Sequence, residues 1–301
     1  MCEQLDFNKT DELKDDVRSF YDQVGWTEVG DGLYQNARFE DLRPVSRDYI
    51  SRCHQRLNRY LPQSGRFLLD AGSGPIQYPE YLEYSGGYLY RLCLDISFTA
   101  LVEARKRIGD HGLFVVGDIA HLPFKSDVMD GIVSMHTVHH LPPGEHKSAF
   151  IEMYRVLMQK GAAVIVYNWG QKSVFGWLSK RSASFLFGLW RFLSRIKRLV
   201  VPRSHDAVDG DFKNPNSSGT REITYTFTHT YRWAKQTLGN LPGFDVRVWR
   251  TFGVSFLRAF IHPRLGGRWF LKIIFTLEER LPGFFGRHGM YPIIVFRKAE
   301  K

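Results

Sequence analysis

The feature that most constrains the fold is an alternation of short apolar runs with helix-length connections between Arg66 and Trp169. The runs read RFLLD, LYRLCLD, LFVVGD, GIVSMH and AAVIVYNW. Continuous apolar runs are typical of strands that are buried on both faces of a parallel sheet. Strands that alternate with helices also predict right-handed crossover connections. We therefore expect an α/β fold, in which an open and mostly parallel sheet carries helices on both faces.

The composition changes along the chain and predicts four segments. Residues 1–62 have a helical pattern and are expected to form an amino-terminal lid, whereas residues 63–170 form the predicted core. Residues 171–222 interrupt the strand pattern and are expected to be a basic amphipathic insertion followed by a polar loop. Residues 223–301 contain FDVRVWR and YPIIVFRK, which are expected to complete the same sheet.

The predicted insertion combines apolar residues at helical spacing with basic residues. No acid occurs between Lys172 and His205. The apolar positions are Phe185, Leu189, Phe192, Ile196 and Leu199, and the cations among them are Arg191, Arg195, Lys197 and Arg198. Such a helix suits an anionic membrane surface or the entrance of an apolar substrate. It also suits ordinary packing of the apolar face on the sheet. RNA would suit the charges but not the width of the apolar face, and RNA or a partner protein is the remaining alternative.

Charge and cysteine content restrict the environment of the chain. The formal net charge of +10 favours polyanions such as nucleic acid or anionic lipid without distinguishing them. The first residues, MCEQLDFNKTDELKDD, lack the layout of a secretory signal, and no apolar run approaches the ~20 residues of a membrane-spanning helix. Cys2, Cys53 and Cys93 have no zinc-site or disulfide spacing. We expect a cytoplasmic protein, peripheral at a membrane at most, without a metal site.

The sharpest local signal is the segment LLDAGSGP at 68–75, an apolar strand that ends in an acid and a glycine-rich turn. Glycines at Gly72 and Gly74 let the backbone approach a ligand closely. Asp95 ends the next predicted strand, where its carboxylate can accept hydrogen bonds from two ribose hydroxyls, and Asp118 ends the third. The pattern predicts a ligand crevice, but not a dinucleotide site, because G-x-G-x-x-G would need glycine at Gln77.

Four segments together resemble the successive motifs of class I S-adenosylmethionine-dependent methyltransferases. They are LLDAGSGP, LCLDIS, GDIAHLPFKSDVMDGIVSMHTVHHLP and EMYRVLMQKGAAVIVYNW, within residues 66–170. Within that superfamily the chain most resembles the group that contains the ubiquinone and menaquinone biosynthesis methyltransferases. It is also similar to tRNA wobble-uridine carboxymethyl methyltransferases. The resemblance implies a Rossmann-like sheet with an antiparallel last strand, and S-adenosylmethionine as the cofactor.

The resemblance also assigns roles to individual positions. The implied cofactor-binding residues are Asp70, Ala71, Gly72, Ser73, Gly74, Asp95, Ile96, Asp118, Ile119, Ser134 and His136. Asp70 and the glycine turn would face the methionine part, Asp95 the ribose, and Asp118 the adenine edge. Ser134 to His136 would line the methyl-transfer pocket. The chain departs from the family pattern at Ile76, where a third glycine is common.

A general base is needed only for an acceptor with a high pKa, and histidine is the usual one at neutral pH. His136 is the leading candidate, since it follows the fourth predicted strand, with His229 second and Tyr231 as a positioning group. His139 and His140 are more simply read as structural. The aromatic residues Tyr21, Trp26 and Tyr34 either fold over the cofactor as a lid or pack the amino-terminal helices.

The leading functional hypothesis is methyl transfer to O, C or N of a small, apolar or lipid-linked acceptor. A second is methylation of a nucleoside in RNA, which the net charge and the local similarity favour but for which no separate RNA-binding module is visible. A third is a non-catalytic S-adenosylmethionine-binding protein, because fold does not imply function. The intact acids at positions 70, 95 and 118 argue against the third.

Overall fold

A computed structural model of the chain describes residues 2–30, 32–181 and 224–300. The apolar positions of the predicted insertion helix, Phe185 to Leu199, lie outside the described residues. None of the helices in the described ranges is both long and apolar enough to cross a membrane.

The described strands form a small hairpin and one large sheet. The strands are β1 (Glu28–Gly30), β2 (Leu33–Tyr34), β3 (Gly65–Ala71), β4 (Tyr88–Asp95), β5 (Gly112–Val116), β6 (Met129–Met135), β7 (Leu157–Val166), β8 (Asp245–Arg250) and β9 (Tyr291–Arg297). The large sheet has seven strands in the order β5-β4-β3-β6-β7-β9-β8. Its last strand in sequence, β9, pairs antiparallel with both β7 and β8, and the other described pairs of this sheet are parallel. The predicted mostly parallel sheet with an antiparallel last strand is confirmed.

The helices lie on both faces of the large sheet. They are α1 (Cys2–Phe20), α2 (Arg47–Gln55), α3 (Phe98–Ile108), α4 (His146–Val156), α5 (Tyr231–Leu238), α6 (Val254–Phe260), α7 (Gly267–Arg280) and α8 (Pro282–His288). Residues 174–181 are also helical. Side-chain caps fix the first residues of α3 and α5. Ser97 Oγ accepts from Ala100 N at 3.1 Å, and Thr230 Oγ1 accepts from Trp233 N at 3.3 Å.

Two apolar clusters explain why the strands are continuous apolar runs. Alternate residues of a strand point to opposite faces, so Leu69 joins a cluster with Phe150 of α4, whereas Leu68 joins a cluster with Leu57 and Phe275. Because both faces of the sheet are covered, both faces of a central strand are largely apolar. The core therefore fixes the carboxyl ends of β3, β4 and β6 at one edge of the sheet, where the predicted acids lie.

The prediction that residues 1–62 are helical throughout is wrong in the middle of that segment. After α1 the chain forms a π-helical turn (Tyr21–Gly25), the hairpin of β1 and β2, and a 3-10 turn (Gln35–Phe39) before α2. Gly30 and Gly32 have φ values of 114° and 70°. These positive values suit a tight connection between two strands and end helical structure there.

Ile76 occupies a backbone conformation that normally favours glycine. Its φ is 54°, yet its side chain is fully buried against Cys93, Leu101 and Ala104. A β-branched residue in this left-handed region is strained, at a cost of roughly 1–2 kcal/mol. The chain therefore tolerates local strain at the third position of the glycine-rich turn in exchange for an apolar contact with α3.

Replacement of Ile76 by alanine or by glycine should destabilise the fold, and the alanine variant should be the less stable of the two. Ile76→Ala loses the buried side chain and keeps the strained φ, so we expect a loss of roughly 2–5 kcal/mol in the free energy of unfolding. Ile76→Gly loses the same contacts but relieves the strain, so it should be more stable than Ile76→Ala by about 1 kcal/mol. Urea unfolding of both variants tests this. An Ala variant as stable as the Gly variant would contradict the strained conformation.

Candidate active site

A cavity of about 390 Å³ lies at the carboxyl edge of the sheet and holds most of the residues that the resemblance assigns to the cofactor. Those that line it are Asp70, Gly72, Ser73, Gly74, Asp95, Ile96, Asp118, Ile119 and His136. A volume in the range of ~300–1,000 Å³ is typical of small-molecule sites. The carboxyl edge of an open parallel sheet is also the usual ligand position in such folds.

Two of the assigned residues lie behind the cavity wall instead. Ala71 is fully buried, and Ser134 is buried with its hydroxyl donating to the Ala71 carbonyl at 2.7 Å. The position of Ser134 on β6 next to β3 explains this bond, which ties the two strands together. Ser134 therefore binds the backbone just before the glycine-rich turn and does not line the pocket.

The glycine-rich turn leaves no room for side chains. Gly72 and Gly74 have φ values of 77° and 54°. A Cβ at position 72 would lie 2.2 Å from Thr137 Cγ2, and one at position 74 would lie 3.1 Å from the Trp26 ring. Conformation favours glycine at both positions, and at position 72 the lack of space also excludes a side chain, so the turn presents backbone to the cavity.

Asp95 connects the glycine-rich turn to the start of α3. Its carboxylate accepts hydrogen bonds from Gly74 N at 2.8 Å and from Ser97 N at 2.9 Å. Burial raises the pKa of Asp95 to about 6, against the opposing effect of these two bonds. A carboxylate can accept about four hydrogen bonds, so Asp95 keeps the capacity for two hydroxyl donors from the cavity.

Asp70 is paired with a buried arginine that sequence reasoning missed. Arg91 on β4 donates from Nε at 3.1 Å and from Nη2 at 2.5 Å, both to Asp70 Oδ2. Arg91 also lines the cavity and is only 1% exposed. The signal was present in the sequence, because a charged residue interrupts the apolar run LYRLCLD. Its partner on the neighbouring strand could not be read from one strand alone.

The amino-terminal segment covers the glycine-rich turn with aromatic rings. Trp26 and Tyr21 are stacked, with ring centroids 5.0 Å apart, and both line the cavity. The Tyr21 hydroxyl lies 3.0 Å from His140 Nε2, which attaches the segment to the loop after β6. Tyr34 packs edge-on against Trp26 and is buried behind it. Tyr34 thus packs behind Trp26, whereas Tyr21 and Trp26 line the cavity, and their closure over a cofactor stays a prediction.

Lys14 connects α1 to the carboxyl edge of the sheet through two ion pairs. Its ammonium group donates to Asp118 Oδ2 at 2.6 Å and to the Glu145 carboxylate at 2.7 Å. Burial alone would lower the pKa of Lys14, but the hydrogen bonds to Asp118 and Glu145 outweigh burial and raise the pKa. Asp118, which the resemblance assigns to the adenine edge, is therefore also the anchor of the lid helix.

His136 stands at the end of β6 in a strained conformation. Its φ is 56°, and its ring lies against Trp249 and Tyr291 at centroid distances of 4.7 and 5.3 Å. Burial lowers the pKa of His136 well below its usual range, and the positive charge of Arg250 lowers it further. The imidazole is therefore neutral at physiological pH. Strained non-glycine residues concentrate at functional sites, which agrees with its position on the cavity wall.

His139 and His140 also line the cavity, whereas His146, His229 and Tyr231 lie outside its lining. His229 is stacked on Trp233 with ring centroids 3.8 Å apart, and neither His229 nor Tyr231 lines the cavity. Both lie beside the amino-terminal end of α5, which Thr230 caps, and this directs them into the packing around α4. His146 binds the Tyr167 hydroxyl at 2.9 Å and the Leu141 carbonyl at 3.0 Å, which is a structural role. The structure thus does not bring His229 and Tyr231 together with His136.

The end of the cavity beyond His136 is polar and aromatic. It is lined by Glu40, Tyr78, Tyr81, Arg250 and Tyr291, which come from four separate parts of the chain. Arg250 Nη1 donates to Glu40 Oε2 at 2.6 Å. Sequence reasoning did not single out these residues, because only the tertiary fold brings them to the pocket. The arginine at the end of FDVRVWR was the one available signal.

The sheet order, the glycine-rich turn and the cavity at the carboxyl edge define a Rossmann-like class I methyltransferase fold. Residues 69–165 match the methyltransferase-domain family. An uncharacterized methyltransferase of Geobacillus sp. (strain WCH70) is 29% identical over 126 residues, which are 42% of this chain and 56% of that protein. Residues 69–165 are therefore similar to methyltransferase domains. The matched region spans about half of the relative's length, so it describes the domain and not the whole protein.

Solved structures share the fold across nearly the whole chain. Phosphoethanolamine N-methyltransferase 1 of Haemonchus contortus aligns with a TM-score of 0.54 at 12% identity, covering 97% of this chain and 51% of that chain. Geranyl diphosphate C-methyltransferase of Streptomyces coelicolor A3(2) aligns with a TM-score of 0.51 at 15% identity, covering 95% of this chain and 98% of that chain. At these identities the likeness establishes the architecture alone.

Removal of the Lys14 ammonium group should loosen the lid. Lys14→Met leaves two partly buried carboxylates without their cation, so we expect a loss of roughly 1–3 kcal/mol in the free energy of unfolding. Limited proteolysis should also cut sooner between α1 and Trp26. Arg18→Met is the matched control, because the Arg18–Asp15 pair on the same helix is exposed and contributes at most about 0.5 kcal/mol. Equal stability of the Lys14 variant and the control would contradict the anchoring role.

Proposed function

We propose that this protein transfers the methyl group of S-adenosylmethionine to O, C or N of a small acceptor. The observation that carries the proposal is a single cavity whose lining includes the glycine-rich turn, Asp95 and His136. The cavity residues fit the cofactor, because both glycines face it without side chains and Asp95 retains free acceptor capacity. When bound, the cofactor supplies an electrophilic methyl group on a sulfonium.

The chain's own contribution to the reaction is mainly positioning. Gly72, Gly74 and Asp95 would hold the methionine and ribose parts, and Asp118 with Ile119 would meet the adenine edge. Trp26 and Tyr21 cover the turn and exclude water from it. Alignment of the nucleophile within roughly 3–3.5 Å of the methyl carbon provides most of the acceleration in such displacements.

His136 is the proposed acid-base and orienting group at the acceptor end. A neutral imidazole can accept a hydrogen bond from an acceptor hydroxyl or amine, or from the acidic C–H of a carbon acid. Full protonation of His136 is opposed by burial and by the nearby Arg250. The ring is thus better suited to orient the acceptor and take its proton late than to ionise it beforehand. His229 and Tyr231, which lie outside the cavity lining, have no comparable support.

The aromatic lining supports an acceptor with an apolar body. Tyr78, Tyr81 and Tyr291 surround the space next to His136, and aromatic faces favour contact with apolar groups. The two solved structures of similar fold were determined with phosphoethanolamine and with geranyl diphosphate, which are small molecules of those proteins. The proposed kinship with ubiquinone and menaquinone biosynthesis methyltransferases rests on the sequence motifs alone.

Cofactor affinity should depend on the ionised form of Asp95. Asp95→Asn should weaken S-adenosylhomocysteine binding by roughly 10- to 100-fold, because charge-assisted hydrogen bonds to the ribose are lost. In the parent protein the affinity should fall as pH drops through about 6, where Asp95 takes up a proton. Calorimetry from pH 5 to 8 tests both. Asp245→Asn, at the far end of β8, is the control, and a parent affinity that is constant with pH would remove Asp95 from the site.

His136→Ala should reduce turnover while sparing cofactor affinity. We expect kcat to fall by roughly 10²-fold, the low end for a general acid-base group. Affinity for S-adenosylhomocysteine should change less than about threefold. The assay follows tritium from methyl-labelled S-adenosylmethionine into the small-molecule fraction of a cell extract. His111→Ala, outside the cavity lining, is the control, and an unchanged kcat would return His136 to a structural role.

A further inference from the structure

Arg250 is a buried cation on the cavity wall with an unused donor. Arg250 is only 1% exposed and lines the cavity on the side of the proposed acceptor. Nη1 is engaged by Glu40, but the buried Nε has no hydrogen-bond partner within residues 2–30, 32–181 and 224–300. A buried charged donor without a partner is strongly unfavourable. The position therefore suits a polar group that arrives with the acceptor.

A second polar atom lies in the same part of the cavity. The Tyr78 hydroxyl is buried and forms no hydrogen bond of normal geometry in the described part of the chain, although the Gln77 side chain lies near it. Tyr291 flanks the guanidinium, with its ring centroid 4.9 Å from Arg250 Cζ. The Trp249 ring makes a second contact, with its centroid 4.7 Å from Arg250 Cζ. The guanidinium thus lies against two rings and forms a side-chain hydrogen bond with Tyr291, while Arg250 Nε and the Tyr78 hydroxyl are the donors without a partner in the described ranges.

The charges around these donors select the ligand. A cationic group is disfavoured because Arg250 is itself buried and positive. Glu40 accepts from Arg250 Nη1 at 2.6 Å and offsets part of the guanidinium charge, so the site suits one further negative charge better than two. Two unpartnered donors on residues that line the same cavity and interact electrostatically match the two oxygens of a single carboxylate. Hydrogen bonds from arginine to carboxylate are among the strong ones.

We propose that the acceptor carries one carboxylate, bound by Arg250 Nε and the Tyr78 hydroxyl. Its apolar body lies along Tyr81 and Tyr291, and its reacting atom faces His136 and the glycine-rich turn. This inference rests on the proposed methyltransferase function, since it identifies the chemical class of that reaction's acceptor. The carboxylate is an anchor in this arrangement, so no bond to it forms or breaks.

Matched probes test the carboxylate directly. Hexanoate, hexan-1-ol, hexylamine and hexyl phosphate are titrated calorimetrically into protein saturated with S-adenosylhomocysteine. Hexanoate should bind at least tenfold more tightly than the alcohol or the amine, and at least as tightly as the phosphate. Equal binding of hexanoate and hexan-1-ol would overturn the carboxylate site, as would tighter binding of hexyl phosphate. Saturation by S-adenosylhomocysteine is measured first, so its failure would count against the proposed function separately.

Variants assign the preference to the named donors. Glu40→Gln combined with Arg250→Met removes both charges of the buried pair together and should abolish the tenfold preference for hexanoate over hexan-1-ol. Tyr78→Phe removes one hydroxyl and should reduce the preference several-fold. Tyr88→Phe is the matched control, because that hydroxyl donates to the Pro62 carbonyl outside the cavity lining. Should the double variant fail to fold, the single one decides, and an unchanged preference in Tyr78→Phe would overturn the proposal.

Discussion

The hydrogen bonds that Asp95 accepts from Gly74 N and Ser97 N are the contacts on which the rest of the site depends. One carboxylate fixes the glycine-rich turn after β3 and the first turn of α3 after β4. The turn can therefore hold positive φ values at Gly72 and Gly74 and still present backbone to the cavity. The acid that is expected to bind ribose is also the acid that builds the pocket, so loss of its charge affects both shape and affinity.

The lid depends on this turn and also stabilises it. Trp26 packs closely over Gly74, and Tyr21 connects that ring to His140. Lys14 adds a polar attachment at Asp118, next to the end of β5. Aromatic contact and ion pairing thus hold the amino-terminal segment at two separate edges of the cavity.

The sequence predicted the parts that local patterns determine. Apolar runs marked the strands of the large sheet because both faces of it are covered, and Asp70, Asp95 and Asp118 marked the carboxyl edge. It failed at the β1–β2 hairpin, whose strands are too short for a periodic signal. It also missed Arg91 and the Glu40–Arg250 pair, because partners separated by up to 210 positions in the chain meet only in the folded structure.

The electrostatic balance at the acceptor end limits the chemistry that His136 can perform. Arg250 and burial both disfavour a protonated imidazole, and a bound sulfonium would add a further positive charge. A carboxylate beside Arg250 would offset part of this field, so the acceptor that the anchor selects would also make proton acceptance by His136 easier. Anchoring and acid-base function are therefore coupled through charge rather than through contact. An acceptor without a carboxylate would leave His136 able to orient the nucleophile but poorly able to take its proton.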